Sequence, residues 1–368
     1  MNSPFDSTNI NGMTLQNRFV RSATWEGMCD EKGCPTQKLK TFYQDLAKGQ
    51  IGLIITGYTY IRPDGKQLTG KMGLYSDDYE QTFKELTQAV HQENGKIAIQ
   101  LVHAGGQTTS QIAGRKPVAP SAVKVDQFPE HTEELSKDEI NELVHAFGMA
   151  ARRAKSYGFD AVQIHGAHGY LVNQFLSPHT NQRRDEYGGS LKNRSRFLME
   201  VYRQIRKEVG DDYPVLIKLN GSDNLPGGLS FDDAVLVAQQ LDMAGIDVIE
   251  VSSGTSASAA YKPARVKIGI PEGEAYNLDL SIGIKNRVSC PVMVVGGFRS
   301  LPVVQKAIQD YQMDYIAMAR PLIREPNLIY RWTYTDQTPA KCTSCNKCFL
   351  PGLKEGGIYC VLDKGKKA

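Results

Sequence analysis

The chain has no long apolar stretch and no strong excess of charge of either sign. No segment approaches the roughly 18 apolar residues that a membrane-spanning helix needs, so none is expected. The formal net charge is only +3 over 368 residues, which offers no argument for binding nucleic acid or a membrane surface. The amino terminus has neither a basic start nor an apolar run, so we expect no signal peptide and a cytoplasmic location.

The chain also lacks the most familiar nucleotide-binding motif. No Gly-x-Gly-x-x-Gly pattern follows its first apolar run, as it would in many open dinucleotide-binding sheets. Hydrophobic residues make up 41% of the chain and charged residues 23%, which is ordinary for a soluble globular protein. Barrels of alternating strands and helices run from about 200 to over 400 residues as one domain, so this length fits a single barrel.

Eight short apolar runs recur along the chain, and helix signals lie between most of them. This alternation indicates parallel strands. The right-handed crossover rule then favours a closed (β/α)8 TIM barrel, and an open doubly wound sheet is the alternative. The runs cover residues 18–22, 51–56, 97–101, 161–164, 215–219, 248–251, 292–295 and 315–318.

Two of the intervening helices have clear boundary signals. Ser136 and Glu139 have the spacing of a capping box, for a helix that ends near Gly158. Ser230 is a typical N-cap residue, and the helix that it begins is expected to end at Gly245.

Two segments fall outside the repeating pattern. Residues 104–135 are rich in Gly, Pro, Ser and Thr, which predicts a long loop after the third strand that covers the barrel mouth. Residues 336–368 contain four of the seven cysteines. We therefore expect a barrel over residues 1–335 and a Cys-rich C-terminal tail over residues 336–368.

Three titratable side chains follow the fourth apolar run within six residues. His165, His168 and Tyr170 leave the carboxyl end of that strand, where ligands bind in parallel sheets and barrels. Imidazoles there can donate hydrogen bonds to a carbonyl oxygen, and a tyrosine hydroxyl can deliver a proton. Histidines packed in the core are the alternative, but three such groups together favour a catalytic site.

A candidate phosphate site follows the seventh and eighth runs. Gly296 and Gly297 allow backbone N–H groups to approach an anion, and Arg320, after Ala319, can bind it through two hydrogen bonds. Barrels often hold a phosphate group with these two loops. Taken alone, the glycine pair would indicate an ordinary turn.

The segment His165–Gly189, continuing through residues 193–197, resembles the old yellow enzyme family of flavin-dependent reductases. The likeness covers roughly residues 4–335, and shorter matches occur in the family's order at residues 15–20, 100–105, 295–298 and 318–321. The resemblance implies flavin mononucleotide (FMN) as the cofactor and NADH or NADPH as the reductant. It also implies that hydride passes through flavin N5 to an electron-poor alkene, such as an enone, an enoate or an enoyl ester.

The resemblance also assigns the flavin ligands. Lys218 takes the place where many relatives carry arginine, and its charge would stabilise the reduced ring. Gln100 resembles the family's flavin-amide ligand. Trp25 departs from the family, because relatives carry a threonine or cysteine there that tunes the flavin; either Thr24 replaces it or tuning differs. The phosphate ligands are Gly296, Gly297, Ala319 and Arg320, and Ser22, Ala23 and Thr24 should meet the ring.

By the same resemblance, His165 and His168 polarise the substrate carbonyl. Tyr170 is the expected donor of a proton to the α-carbon, with solvent or another tyrosine as the alternative. The partners implied are a small unsaturated carbonyl substrate, no nucleic acid and no membrane, and a homo-oligomer stays open.

The cysteines of the tail resemble the iron–sulfur segment of the larger members, the 2,4-dienoyl-CoA reductases and trimethylamine dehydrogenases. Cys342, Cys345, Cys348 and Cys360 could hold a [4Fe–4S] cluster or zinc, or remain free. Two residues separate the second and third cysteines where the relatives have three. The chain ends soon after Cys360, so we expect no second flavin domain to which a cluster would pass electrons.

The sequence is also compatible with two other functions. A barrel without flavin could use the same histidines for acid–base catalysis, as an aldolase or isomerase does. A cluster held by the cysteines could instead make the protein an electron-transfer subunit.

Overall fold

The computed structural model describes residues 2–125 and 127–363. Its centre is a closed barrel of eight parallel strands, in which the first strand pairs with both the second and the eighth. The strands are β1 Phe19–Arg21, β2 Leu53–Tyr60, β3 Ile97–Val102, β4 Ala161–Gly166, β5 Val215–Asn220, β6 Val248–Ser252, β7 Val292–Val295 and β8 Tyr315–Met318. The predicted TIM barrel is confirmed, and all eight predicted runs form its strands.

One helix follows each strand and packs its apolar side on the outside of the barrel. The helices are α1 Gln37–Lys48, α2 Glu80–His91, α3 Lys137–Ser156, α4 Arg196–Val209, α5 Phe231–Met243, α6 Leu278–Lys285, α7 Leu301–Gln309 and α8 Leu328–Tyr334. Ser136 and Glu139 form the predicted capping box at the start of α3. Ser230 caps α5, and Gly245 follows that helix with φ +89°.

The carboxyl-terminal side of the barrel carries the additional elements. Short helices lie at Ser110–Ala113, Leu171–Leu176, Leu191–Arg194, Arg320–Arg324 and Phe349–Lys354. Single 3₁₀ turns lie at Pro63–Gly65, Asp77–Tyr79, Ala259–Tyr261 and Val361–Asp363. Among the described residues, none of the helices has the length and apolar character needed to cross a lipid bilayer.

The opposite end of the barrel is filled by an amino-terminal hairpin of strands Thr8–Ile10 and Met13–Leu15. Its buried side chains Ile10, Met13 and Leu15 pack against the inward-facing side chains of the barrel strands. A larger apolar cluster lies between the strands and the surrounding helices. The ligand-binding end is therefore the one formed by the carboxyl ends of the strands.

Two details differ from the sequence-based expectation. Strand β2 continues to Tyr60, past Gly57, with an irregular register between Ile55 and Tyr58. A Cβ atom at Gly57 would lie 2.1 Å from Oε2 of Glu26, so this glycine marks a close approach and not a strand end. Residues 104–135 also contain a helix and a short parallel pair, Val118–Ala119 with Glu133–Glu134, where a plain loop was expected.

Candidate active site

A cavity of about 510 Å³ opens at the carboxyl ends of the barrel strands. Its volume is typical of sites for small molecules and cofactors. All twelve residues assigned to catalysis or flavin binding from the sequence line it: Ser22, Ala23, Thr24, Gln100, His165, His168, Tyr170, Lys218, Gly296, Gly297, Ala319 and Arg320.

One wall of this cavity is formed by the two histidines and the tyrosine after β4. The ring centroids of His165 and His168 lie 5.0 Å apart, and those of His165 and Tyr170 lie 4.8 Å apart. His168 has φ +62°, which is unusual for a residue other than glycine. Its Nε2 lies 2.7 Å from Oγ of Ser252, and its N–H donates to Oδ1 of Asn220. These contacts hold the strained backbone in place.

Both imidazoles are neutral at ordinary pH. Burial lowers the pKa of His165 and of His168 well below the usual range, and the charge of Lys218 adds to this effect. Nδ1 of His165 accepts the N–H of Ala167 at 3.3 Å, so the single proton of the ring lies on Nε2. His165 is therefore a neutral hydrogen-bond donor.

Tyr170 completes this wall. Its hydroxyl donates to Oε1 of Gln67 at 3.1 Å, and its ring meets that of Tyr58 edge-on at 5.1 Å. Burial raises the pKa of Tyr170 above its ordinary value. The hydroxyl therefore holds its proton tightly unless a bound substrate accepts it.

A chain of buried polar side chains forms part of the cavity wall and continues behind it. Lys218 Nζ contacts Oε1 of Glu250 at 3.1 Å and Oγ of Ser22 at 2.8 Å, and Ser22 donates to the same carboxylate at 2.7 Å. Gln163 Nε2 donates to Oε2 of Glu250 at 2.7 Å, and Gln100 Nε2 donates to Oε1 of Gln163 at 2.8 Å. Strand register brings these residues together, because Glu250 lies beside Lys218 and Gln100 beside Gln163.

The direction of this chain follows from its carboxylate. An ionised Glu250 can only accept hydrogen bonds, so Gln163 must direct its NH₂ group toward it. The oxygen of Gln163 then accepts from the NH₂ group of Gln100. Gln100 is left with its own oxygen as an acceptor on the cavity side, which suits the N–H of a flavin ring.

The far end of the cavity has the features of a phosphate site. Gly296 has φ +146° and Gly297 has φ +82°, and Cβ atoms there would lie 2.9 Å and 3.0 Å from the Tyr276 ring. Only glycine fits this approach. Nη1 of Arg320 donates to the backbone oxygen of Arg265 at 2.7 Å, which orients the guanidinium at the cavity wall.

The sequence model of the NADH:flavin oxidoreductase / NADH oxidase family matches residues 3–338. This chain belongs to that family. The NADPH dehydrogenase of Geobacillus sp. (strain WCH70) is 36% identical over 323 residues, which cover 88% of this chain and 91% of the relative.

Two further comparisons agree with this membership. The NADH oxidase of Thermoanaerobacter brockii is 36% identical over 347 residues, but the chain spans only 52% of its length. The structure of an old yellow enzyme homologue from Zymomonas mobilis superposes with a TM-score of 0.79 at 27% identity, covering 93% of this chain and 96% of that one. The resemblance to the old yellow enzymes is confirmed. The prediction that the chain is an FMN-dependent oxidoreductase that uses NADH or NADPH is confirmed as well.

The residues of this family member fit FMN. The Gly296–Gly297 backbone and Arg320 can receive a phosphate, and Gln100 can receive the ring. Trp25 also lines the cavity, and its indole nitrogen is fully buried without a hydrogen-bond partner among the described residues. An unpaired buried donor of this kind is costly.

Thr24 and Trp25 make different contacts at the start of the loop after β1. The hydroxyl of Thr24 donates to the backbone oxygen of Ser22 at 3.2 Å, so it is already engaged. The Trp25 ring packs toward the tail, where a Cβ atom at Gly352 would lie 3.1 Å from it. Thr24 and Trp25 both line the cavity.

The tail contributes to the cavity wall. Ser344, Asn346 and Phe349 line the main cavity. Cys342, Cys345, Cys348 and Cys360 surround a separate cavity of about 20 Å³ and form no disulfide. Within residues 2–125 and 127–363, no three His, Cys, Asp or Glu side chains are arranged to hold a metal ion.

Several residues that line the cavity were not predicted from the sequence. Lys71 and Gln67 come from the loop after β2, and Tyr276 comes from the loop after β6. None of them directly follows a barrel strand, so the strand-end rule that identified the histidines could not find them. Glu250 was missed because it lies within an apolar run, where only the neighbouring strands reveal its polar partners.

Proposed function

We propose that this chain catalyses reduction of an electron-poor alkene conjugated to a carbonyl group, with NADH or NADPH as the reductant. FMN held by Gln100, Lys218 and Arg320 would supply the transfer of hydride from the nicotinamide to the β-carbon of the alkene. The observation that carries the proposal is a pair of neutral imidazoles, His165 and His168, beside Tyr170 in the same cavity as a phosphate cradle.

The histidines bind the carbonyl oxygen of the substrate. Nε2–H of His165 is a fixed donor, because the other ring nitrogen is already bonded to the backbone. Negative charge grows on the carbonyl oxygen as hydride arrives, and preorganised donors stabilise that charge with little rearrangement. Neutral donors keep their proton through the step.

Tyr170 supplies a proton to the α-carbon. In the resting site its hydroxyl is bonded to Gln67, so it must turn from that oxygen to the substrate. The raised pKa of Tyr170 favours rapid recovery of the proton afterwards. Water entering from the cavity mouth is the alternative source.

The same proposal assigns the remaining residues. Ser22, Ala23, Thr24, Gln100 and Lys218 hold the ring of FMN, and Gly296, Gly297, Ala319 and Arg320 hold its phosphate. The barrel, residues 1–335, carries the chemistry, and the tail, residues 336–368, adds part of the wall. The four tail cysteines stay candidate ligands for a [4Fe–4S] cluster or zinc, but their present arrangement does not fit a metal, so no step passes through one.

Anaerobic single-turnover kinetics test this function. Holoenzyme reduced with NADPH is mixed with a cyclic enone, and reoxidation of the flavin is followed near ~450 nm. His165→Ala should raise the activation free energy of this step by about 2–4 kcal/mol and so slow it, while FMN stays bound. The histidines should contribute no change in the rate between about pH 8 and pH 6, because their lowered pKa keeps both rings neutral there.

His145→Ala is the matched control, because His145 is an exposed residue of α3. It should reduce the enone at the wild-type rate. Equal rates for His165→Ala and wild type would remove the histidine from the reaction, and the absence of alkene reduction by wild type would refute the proposed function.

A further inference from the structure

A buried lysine lies in the substrate part of the cavity without a partner. Lys71 is only 3% exposed, and it lines the cavity. Its Nζ lies 3.7 Å from the ring centroid of Tyr58 and 5.8 Å from that of Tyr170. Across residues 2–125 and 127–363, the ammonium group makes no hydrogen bond and no ion pair.

No neighbouring carboxylate neutralises this charge. Glu26 is the acidic group that acts on Lys71 through space, but its Oε1 lies 2.8 Å from Nη2 of Arg21 and also accepts the hydroxyl of Tyr43. Of the other two lysines that line the cavity, Lys218 is paired with Glu250 and Lys262 is exposed. Among the described residues, Lys71 is therefore the buried lysine of the cavity whose positive charge has no carboxylate partner.

The two tyrosine rings compensate only part of the cost of burying the Lys71 ammonium group. A cation over an aromatic face gains about 2 kcal/mol when it is desolvated. The ammonium still has three N–H donors that the protein leaves unused, and burying a charge without hydrogen bonds is costly. A site with this arrangement is completed by an anion that enters the cavity.

We propose that Lys71 binds a carboxylate of the substrate, so that the preferred substrate is an unsaturated carbonyl compound that also carries a carboxylate group. This inference rests on the proposed function. His165 and Lys71 both lie around Tyr170, within 4.8 Å and 5.8 Å of its ring centroid. The neutral histidines hold the polarised carbonyl oxygen, and Lys71 holds the charged group a few bonds away.

The protonation of Lys71 gives this preference a pH dependence. Burial lowers the pKa of Lys71 to about 7, and the through-space attraction of Glu26 opposes that shift only in part. The other titratable groups that face it are Tyr58, Tyr170 and His165, and all three are neutral at this pH. The preference for the acid should be strongest below pH 7 and fall above it, as the ammonium loses its proton.

The test compares a keto acid with its neutral methyl ester, using 4-oxopent-2-enoate as the probe pair. Dissociation constants come from perturbation of the flavin spectrum of the oxidised holoenzyme. A charge-assisted hydrogen bond should make wild type bind the acid more than about tenfold tighter than the ester at pH 6.5. Lys71→Met should lose this preference, Lys71→Arg should keep part of it, and ester binding should change less than about twofold.

Lys66→Met is the matched control. Lys66 also lies over a tyrosine ring, 5.9 Å from the centroid of Tyr60, but it donates to the backbone oxygen of Glu31 outside the cavity. It should keep the wild-type preference. An unchanged preference in Lys71→Met overturns the proposal, and so does a loss of affinity confined to NADPH, which would mean that the ammonium serves the reductant.

Turnover of the methyl ester separates this proposal from the proposed function. If wild type and Lys71→Met both reduce the ester, the reaction is secure and the binding data decide the role of Lys71. If neither reduces it, the proposed reaction fails, and the binding preference still decides whether Lys71 recognises a carboxylate.

Discussion

At the scale of single residues, the active site depends on buried groups whose partners lie on neighbouring strands. Glu250 contacts both Lys218 and Gln163, and each of these positions a group that lines the cavity. Glu250 itself does not line the cavity, so it acts as a positioning residue. Its carboxylate compensates Lys218 and fixes the orientation of two glutamine amides.

Glu250→Gln tests this role through the reduction potential of the bound flavin. Without the carboxylate, the positive charge of Lys218 is no longer balanced and should stabilise the anionic reduced ring. The potential should therefore rise, and spectroelectrochemical titration measures it. Lys218→Met should move the potential in the opposite direction; a potential that is unchanged in both variants would limit Glu250 to a structural role.

The residues found from the sequence differ from those missed for a physical reason. His165, His168 and Tyr170 directly follow a strand, so the barrel geometry alone places them at the cavity. Lys71 and Glu250 depend on which chain segments become neighbours, and no local pattern encodes that. Trp25 was recognised as a departure, but its contact with the tail depends on how residues far along the chain fold back.

At the scale of elements, the loop after β7 requires two glycines and the loop after β8 supplies an arginine. The loop after β6 contacts both, because Tyr276 packs against the glycines and the backbone oxygen of Arg265 accepts a hydrogen bond from Nη1 of Arg320 at 2.7 Å. The apolar runs predicted every barrel strand, since burial on both faces produces such runs. They could not predict this loop, which has no periodic pattern.

Gly296→Val should abolish retention of FMN while the barrel stays folded. The new Cβ atom would lie 2.9 Å from the Tyr276 ring, and valine does not tolerate φ +146°. The flavin-to-protein ratio after gel filtration and the far-ultraviolet circular dichroism measure the two outcomes. Gly210→Ala is the control, because Gly210 also has a positive φ of 78° but no atom within 4 Å of its Cβ position. Full retention of FMN in Gly296→Val would exclude the glycine pair from the phosphate site.

At the scale of the whole molecule, the tail and the barrel form one packed structure. The N–H of Ile358 donates to the backbone oxygen of Glu26 at 2.8 Å, and Lys38 donates to the backbone oxygen of Gly356 at 3.1 Å. Phe349 reaches the main cavity. The tail was expected from its cysteines alone, and the sequence did not indicate that it would form part of the active-site wall.

Cys345→Ser should leave NADPH-driven reduction of an enone unchanged, because the proposed reaction uses no group of the tail cysteines. Steady-state rates and FMN content measure this, together with iron, zinc and sulfide analysis of anaerobically purified protein. Cys290→Ser is the matched control for loss of a thiol elsewhere in the fold, since Cys290 is buried away from the tail. Lost alkene reduction with FMN still bound would mean that the tail cysteines carry electrons.

The amino-terminal hairpin has a kinetic consequence. Ile10, Met13 and Leu15 fill the barrel end opposite the cavity, so in the described part of the chain both reactants approach the histidines from the mouth. Under the proposed function, we therefore expect the nicotinamide and the alkene to compete for this mouth, so that a large excess of either reactant slows turnover. Steady-state rates at varied concentrations of both reactants measure this inhibition.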